Sequence, residues 1–197
     1  MAGVIAVLTM ALFLAGPTLA GNAYAQSQAD RQEQPQRRPP AEPGYDVAAM
    51  FKRHYNPVSA EFLTGAQPTP EILKNLRDEK GIKVVINLRP PREFNAGEVQ
   101  EAARRLGLRY FNIPVVYRDP QPEQVDEFLK ITDDPANRPA LIYCAMNIRA
   151  GAFFAIRRVL RDGWTFEDAE KEAAKGAQIA PHLRTFALAY IEKRQKK

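Results

Sequence analysis

The loop from Cys144 to Arg149 is the stretch of this chain whose residue types and spacing suggest covalent chemistry. It follows a short apolar run, Pro139 to Tyr143, and precedes a segment with helical periodicity, so it is expected to join a strand to a helix. Main-chain N–H groups at a helix start can bind an anion, aided by the helix dipole. Arg149 adds a planar guanidinium that matches two oxyanion oxygens. The same positive field would stabilise a thiolate, which makes Cys144 a candidate nucleophile.

Cys144 is the only cysteine of the 197 residues, so an intrachain disulfide is impossible. The two histidines, His54 and His182, do not give the ligand number or spacing of a zinc site, and neither a metal nor another cofactor is predicted. Two structural alternatives remain open at this point. The alternative for Cys144 is a small buried thiol at a strand end. The alternative for Arg149 is an ion pair with a carboxylate at the sheet edge.

Helix and strand signals alternate along the chain and show which elements must position this loop. Pro, Gly and capping residues mark the helix ends. The predicted helices run from Pro70 to Gly81, Ala96 to Leu106, Pro122 to about Ile131, Ala150 to Arg161, onward from the capping box of Thr165 and Asp168, and from Pro181 to about Arg194. The predicted strands are Ile82 to Leu88, Leu108 to Val115 and Pro139 to Tyr143.

This alternation predicts an α/β fold with a mainly parallel central sheet flanked by helices and joined by right-handed crossovers. Ligands of such sheets bind at the carboxyl ends of the strands. The strand ending at Tyr143 therefore delivers Cys144 to the edge where a site is expected.

The N-terminal residues 1–25 have the pattern of an export signal. An apolar run extends from Val4 to Leu14, and Ala23-Tyr24-Ala25 is a small-x-small cleavage site. Cleavage after Ala25 predicts an exported protein, periplasmic or secreted. No Lys or Arg precedes the apolar run, so an uncleaved membrane anchor is the alternative.

The rest of the chain is predicted to consist of a linker, one domain and a short tail. Residues 26–44 are rich in Gln, Arg, Pro and Glu, a composition typical of a disordered linker. The folded domain is predicted over residues 45–193, followed by a basic tail at 194–197. The net charge of +5 is too small to indicate nucleic-acid binding, and the oligomeric state has no signal in the sequence.

Five segments together resemble the atypical tyrosine and dual-specificity phosphatases, in the bacterial branch built around a phosphatase-like domain. The resemblance spans roughly Phe62 to Glu172 and preserves the order of the segments. These are Thr64 to Pro68, Gly81 to Arg89, Pro90 to Glu93, Asn112 to Val115, and Tyr143 to Gly151.

The resemblance implies a cysteine-phosphatase-like fold and a phosphoric monoester hydrolase that needs no metal. It makes Cys144 the nucleophile that takes the phosphoryl group and Arg149 the residue that binds its oxygens. It makes Asp119, on the loop before the predicted Pro122 helix, the general acid; a turn or capping role for Asp119 is the alternative. The implied substrate is a phosphate ester or another oxyanion. The implied phosphate-binding loop consists of Ala145, Met146, Asn147, Ile148 and Arg149.

Several departures from the family pattern leave two further functions open. Tyr143 stands where the family has His, Asn147 replaces a loop glycine, and Ala150 replaces Ser or Thr. These changes are compatible with an inactive pseudophosphatase that binds phosphate or a phosphorylated partner. Only four residues separate Cys144 from Arg149, and a short loop is also typical of rhodanese-like sulfurtransferases, which would use a Cys144 persulfide.

Overall fold

The structure, a computed structural model, describes residues 55–93 and 96–196. The predicted signal segment and linker lie outside these residues, as does the first part of the predicted domain. Five strands form one sheet in the order β1-β2-β5-β3-β4. Strand β1 is antiparallel to β2, and the other pairs are parallel. The strands are β1 (Tyr55–Pro57), β2 (Phe62–Gly65), β3 (Val84–Asn87), β4 (Arg109–Asn112) and β5 (Ala140–Tyr143).

The described helices follow the predicted start and stop signals closely. Thr69 Oγ1 accepts a hydrogen bond from the Ile72 N–H at 3.2 Å, and Gly81 ends that helix in the left-handed conformation with φ 66°. Thr165 caps a later helix in the same way, through the Asp168 N–H. The helices are α1 (Pro70–Lys80), α2 (Ala96–Arg105), α3 (Pro122–Asp133), α4 (Ile148–Asp162), α5 (Phe166–Ala174) and α6 (Pro181–Gln195).

Apolar side chains fill both faces of the sheet. Alternate residues of a strand point to opposite faces, so Leu141 and Tyr143 pack against α1 and α2, whereas Ile142 and Cys144 pack in the cluster built with α3 to α6. Because both faces are covered, the central strands are uniformly buried rather than alternating in exposure. The predicted α/β fold with a mainly parallel sheet is confirmed.

Several details differ from the sequence predictions, and β3 covers only Val84–Asn87 of the predicted strand from Ile82 to Leu88. Strands β1 and β2 were not predicted, and β4 ends at Asn112 rather than Val115, three residues before the predicted end. Helix α4 begins at Ile148 rather than Ala150, and α6 extends through Arg194 into the predicted basic tail, where Arg194 pairs with Asp126. No helix in the described part of the chain is both long and apolar enough to cross a membrane.

Candidate active site

Cys144 lies at the carboxyl end of β5, the middle strand of the sheet. Its N–H donates to the Gly65 carbonyl at 3.2 Å, and the Leu88 N–H donates to the Tyr143 carbonyl at 2.9 Å. Main-chain bonds to both neighbouring strand ends therefore fix where the cysteine leaves the sheet. This is the edge at which ligands of parallel α/β sheets bind.

The three residues after Cys144 form a tight loop between β5 and α4. The Ala145 carbonyl accepts a hydrogen bond from the Gln67 N–H at 3.4 Å, and Met146 pairs with Ala66 in an antiparallel bridge. Asn147 then adopts φ 65°, in the left-handed region that Asn tolerates better than most non-glycine residues. Asn147 therefore supplies the sharp change of chain direction between the loop and α4, which begins at the next residue.

The first turn of α4 carries main-chain N–H groups that have no acceptor within the helix. Its first helical hydrogen bond runs from the Gly151 N–H to the Asn147 carbonyl at 2.8 Å. The Asn147 side chain makes no capping hydrogen bond. Uncapped N–H groups and the positive end of the helix dipole favour an anion at this position. Ile148 and Arg149, predicted as loop residues, lie in this first turn.

The guanidinium of Arg149 is buried and held in one orientation by two acceptors. Nη1 donates to Glu93 Oε1 at 3.1 Å and to the Val115 carbonyl at 2.7 Å, and Nη2 donates to Glu93 Oε2 at 2.7 Å. Within the described part of the chain, these bonds occupy three of the five N–H groups of an arginine. The Nε–H and the second Nη2–H, which are parallel on the remaining edge, are the pair suited to two oxyanion oxygens.

Arg89 stabilises the segment that carries Glu93. Its Nη1 donates to Gln67 Oε1 at 2.7 Å, its Nη2 donates to the Glu93 carbonyl, and its Nε lies 3.7 Å from Glu93 Oε2. Two guanidinium groups, those of Arg89 and Arg149, thus share one carboxylate. The excess positive charge favours an anionic ligand near the loop.

Asp119 lies on an exposed turn that follows the contact of Val115 with Arg149. Its N–H donates to the Val116 carbonyl at 3.0 Å, and its Oδ1 accepts a hydrogen bond from Gln121 Nε2 at 2.7 Å. Among the described residues, Asp119 makes no hydrogen bond to Cys144 or Arg149. The turn reading of Asp119 is therefore correct as a description of its contacts, and its role as general acid stays a prediction.

The thiol of Cys144 is almost completely buried, with 1% of the residue exposed, and it belongs to the apolar cluster on the α4 side of the sheet. Burial is what the inert-thiol alternative predicts. The surroundings differ from those of an inert thiol because an uncapped helix start and Arg149 follow directly in the chain. Arg149 does pair with a carboxylate, as its alternative predicted, but with one edge of its guanidinium only.

Tyr143, the residue before the cysteine, lies on the opposite face of the sheet. It is fully buried in the cluster with α1 and α2, whereas Cys144 belongs to the other cluster. Burial, with a smaller effect of the neighbouring Tyr110 hydroxyl, raises the pKa of Tyr143 well above its usual value. The phenol is therefore neutral and faces away from the thiol.

Sequence reasoning missed three contacts of the site. Glu93 was noted only within a segment of the family resemblance, and nothing indicated that its carboxylate would hold Arg149. The Val115 carbonyl is a main-chain acceptor, which side-chain patterns do not show. His182 donates through Nε2 to the Tyr117 carbonyl at 2.8 Å and packs edge-on against the Tyr117 ring, so it steadies the loop that carries Asp119.

A metal ion has no evident place in the part of the chain that is described. Over residues 55–93 and 96–196, no group of three or more His, Cys, Asp or Glu residues is arranged to hold one.

The sequence matches a known family over most of its length. Residues 45–185 match the family model described as "PTP-NADK: DSP-PTPase phosphatase fused to NAD+ Kinase". The chain belongs to this family. The resemblance to atypical tyrosine and dual-specificity phosphatases is thereby confirmed. No curated protein sequence is significantly similar to the chain.

Solved structures share the fold of this family member. A DUF442 phosphatase from Shewanella putrefaciens is 23% identical to this chain, with a TM-score of 0.59. The match covers 72% of this chain and 93% of the Shewanella chain. The core catalytic domain of the PP-IP phosphatase SIW14 from S. cerevisiae is 19% identical with a TM-score of 0.61, covering 73% and 89%. TpbA from P. aeruginosa, in complex with pTyr, is 20% identical with a TM-score of 0.54, covering 68% and 79%.

The family assignment supports a cysteine-dependent phosphatase, a hydrolase of phosphoric monoesters, with phosphate esters as its substrate class. The sulfurtransferase and pseudophosphatase alternatives are not favoured by these comparisons.

Proposed function

We propose that this domain hydrolyses phosphate monoesters through a phosphorylated Cys144. The observation that carries the proposal is the fixed orientation of Arg149, one residue after the start of α4. Glu93 and the Val115 carbonyl hold one side of its guanidinium, and the edge formed by Nε–H and Nη2–H remains for a phosphoryl group. The uncapped N–H groups at the start of α4 would bind the third oxygen.

The reaction would proceed in two displacements at phosphorus. The Cys144 thiolate attacks, the ester P–O bond breaks, and the leaving oxygen takes a proton from Asp119. A water molecule then attacks the cysteinyl phosphate, Asp119 accepts a proton from it, and the P–S bond breaks to regenerate the thiolate and release phosphate. Arg149 and the N–H groups stabilise the charge on the equatorial oxygens in both steps.

Asp119 is the least securely positioned of the proposed catalytic residues. Its carboxylate is exposed and bound by Gln121, and it lies four residues beyond Val115, whose carbonyl contacts Arg149. For proton transfer, Asp119 must leave Gln121 and move toward the leaving oxygen. His182 holds the same turn through Tyr117, so the required change is confined to the residues around Asp119.

The test is hydrolysis of p-nitrophenyl phosphate and of an alkyl phosphate by the purified protein and three variants. We expect C144S to lose turnover and vanadate to inhibit the wild type. R149K should lower kcat/KM by roughly 100-fold or more, because lysine lacks the paired N–H groups. D119N should lower kcat/KM more for the alkyl phosphate than for p-nitrophenyl phosphate, because the nitrophenolate leaving group needs less protonation.

The exposed Glu98, on the surface of α2, offers a matched control, and E98Q should leave all rates unchanged. A wild-type rate no higher than that of C144S would contradict the proposal. Equal losses of D119N in kcat/KM on both esters would exclude Asp119 as the acid of the first displacement but leave the roles of Cys144 and Arg149 in place.

A further inference from the structure

Gly176, in the turn between α5 and α6, lies against the side chain of the loop residue Asn147. A methyl group at position 176 would be 2.2 Å from Asn147 Nδ2 and 3.1 Å from the Cβ of Asn56. The first distance is far inside van der Waals contact. The main chain at Gly176 is not in the left-handed region, so what requires glycine here is the space taken by Asn147.

Asn147 is held by packing rather than by hydrogen bonds. It is 1% exposed, and neither its side-chain oxygen nor its nitrogen has a hydrogen-bond partner among the described residues. Its main chain is left-handed, with φ 65°. A buried amide without partners is unfavourable, as is a left-handed residue other than glycine. The close fit against Gly176 is therefore what confines this side chain.

The turn at Gly176 is itself fixed from two directions. Asn56 Nδ2, on the edge strand β1, donates to the Glu172 carbonyl in the last turn of α5 at 2.8 Å. On the α4 side, a methyl group at Gly151 would lie 3.2 Å from the Cβ of Ala173. The end of α5 and the turn after it thus pack against the beginning of α4 at two neighbouring positions, Asn147 and Gly151. Movement of Gly176 away from Asn147 is consequently restricted.

We propose that Gly176 is a positioning residue for the phosphate-binding loop. Because Gly176 has no side chain, the Asn147 side chain can occupy the space beside it, and this packing fixes the loop. This inference rests on the proposed function. Asn147 lies between Met146 and Arg149, so any displacement of its side chain shifts the loop N–H groups and the start of α4. Displacements of about 1 Å at a catalytic site can lower a rate by about 100-fold.

The test compares G176A, N147G and the double variant N147G/G176A with the wild type. Two quantities are measured: kcat on p-nitrophenyl phosphate and the rate at which iodoacetamide alkylates Cys144, the only cysteine of the chain. We expect G176A to lower kcat at least about tenfold and to raise the alkylation rate by a similar factor. N147G should also lower kcat and raise the alkylation rate, because it removes the confined side chain, but by smaller factors than G176A, because glycine accepts the left-handed conformation.

The decisive result is rescue. In the double variant the methyl group no longer meets the Asn147 amide, so both quantities should return to the N147G values. Lys175, exposed and adjacent in the same turn, supplies the control K175A, which should match the wild type. A double variant as impaired as G176A, or a G176A protein indistinguishable from the wild type, would overturn the proposal.

Two further outcomes are also informative. If G176A does not fold, as judged by circular dichroism, the proposal requires that the double variant folds, and failure of both would overturn it. If the wild type shows no Cys144-dependent hydrolysis, the proposed function fails. The alkylation rates then still test whether Gly176 fixes the loop, because they do not depend on turnover.

Discussion

The position of Arg149 depends on a carboxylate from a different segment of the chain. Glu93 accepts both hydrogen bonds from one edge of the guanidinium and also lies close to Arg89 Nε. Among the described residues, no other carboxylate pairs with this buried guanidinium. The orientation of the guanidinium edge proposed to bind phosphate should therefore depend on the charge of Glu93.

The substitution E93Q tests this dependence. Glutamine keeps the shape of the side chain but presents one N–H donor to an arginine that needs two acceptors. We expect kcat/KM on p-nitrophenyl phosphate to fall by about 10- to 100-fold, in the range found when one oriented group of an active site is lost. The exposed Glu98 provides the control E98Q. Activity of E93Q equal to that of the wild type would show that the Glu93–Arg149 pair has no part in catalysis.

Tyr143, next to the proposed nucleophile in the chain, lies on the opposite face of the sheet. Tyr143 stands where the family has histidine, one of the departures that left an inactive pseudophosphatase open. Strand geometry directs its side chain to the α1 and α2 face, away from Cys144. The direction of the Tyr143 side chain follows from the alternation of side chains between the two faces of the sheet along β5. A sequence motif alone does not reveal it.

We therefore predict that Y143F leaves kcat within about threefold of the wild type, since the phenol lies on the face of the sheet opposite the thiol. Burial raises the pKa of Tyr143, so the hydroxyl stays protonated through the neutral and alkaline range. Its removal should leave the alkaline limb of the pH–rate profile unchanged. A shift of that limb in Y143F, measured between pH 6 and pH 10 (about the ordinary pKa of tyrosine), would contradict this assignment.

At the scale of the elements, an arginine network joins α4 to α5. Arg158, largely buried, donates to Glu172 at 2.8 Å and 3.0 Å and to Asp162 at 2.8 Å. Its guanidinium also lies 4.4 Å from the centre of the Trp164 ring. Because Glu172 belongs to the same helix end that leads to Gly176, this network fixes the element that supports the loop.

The variant R158A should lower the free energy of unfolding by about 3 kcal/mol, because it leaves the mostly buried Glu172 carboxylate without its partner. Arg161, which pairs with Asp133 at the surface, supplies the comparison, and R161A should cost less than about 1 kcal/mol. Urea denaturation measures both. Equal losses for the two variants would show that burial of the Arg158 network adds nothing to stability.

The helices were predictable from the sequence because their ends carry local signals, such as Thr69, Gly81 and Pro122. Strands β1 and β2 were not, since a three-residue strand and a four-residue strand are defined by their partners rather than by their own composition. The same holds for the site. Cys144, Arg149 and the loop followed from one contiguous motif, whereas Glu93 and Gly176 reach the loop only through the fold.

At the scale of the whole molecule, export of the protein is a proposal that rests on residues 1–25. Their apolar run and the Ala23-Tyr24-Ala25 site suggest cleavage after Ala25. We expect the mature protein, isolated from the producing cells, to begin at Gln26 and to be recovered outside the cytoplasm. N-terminal sequencing of the isolated protein together with cell fractionation measures this. An intact N-terminus on a membrane-bound protein would favour the uncleaved anchor instead.

The proposed reaction requires that a phosphoryl group is transferred to one sulfur atom, that of Cys144. Mixing the wild-type protein with excess p-nitrophenyl phosphate, quenching within the first turnovers and analysing the digested protein by mass spectrometry tests this directly. We predict one added phosphoryl group on the peptide that contains Cys144, reduced in R149K and accumulating in D119N if Asp119 activates the water. Steady hydrolysis with no phosphate on Cys144 at any quench time, in the wild type and in D119N, would contradict covalent catalysis by this cysteine.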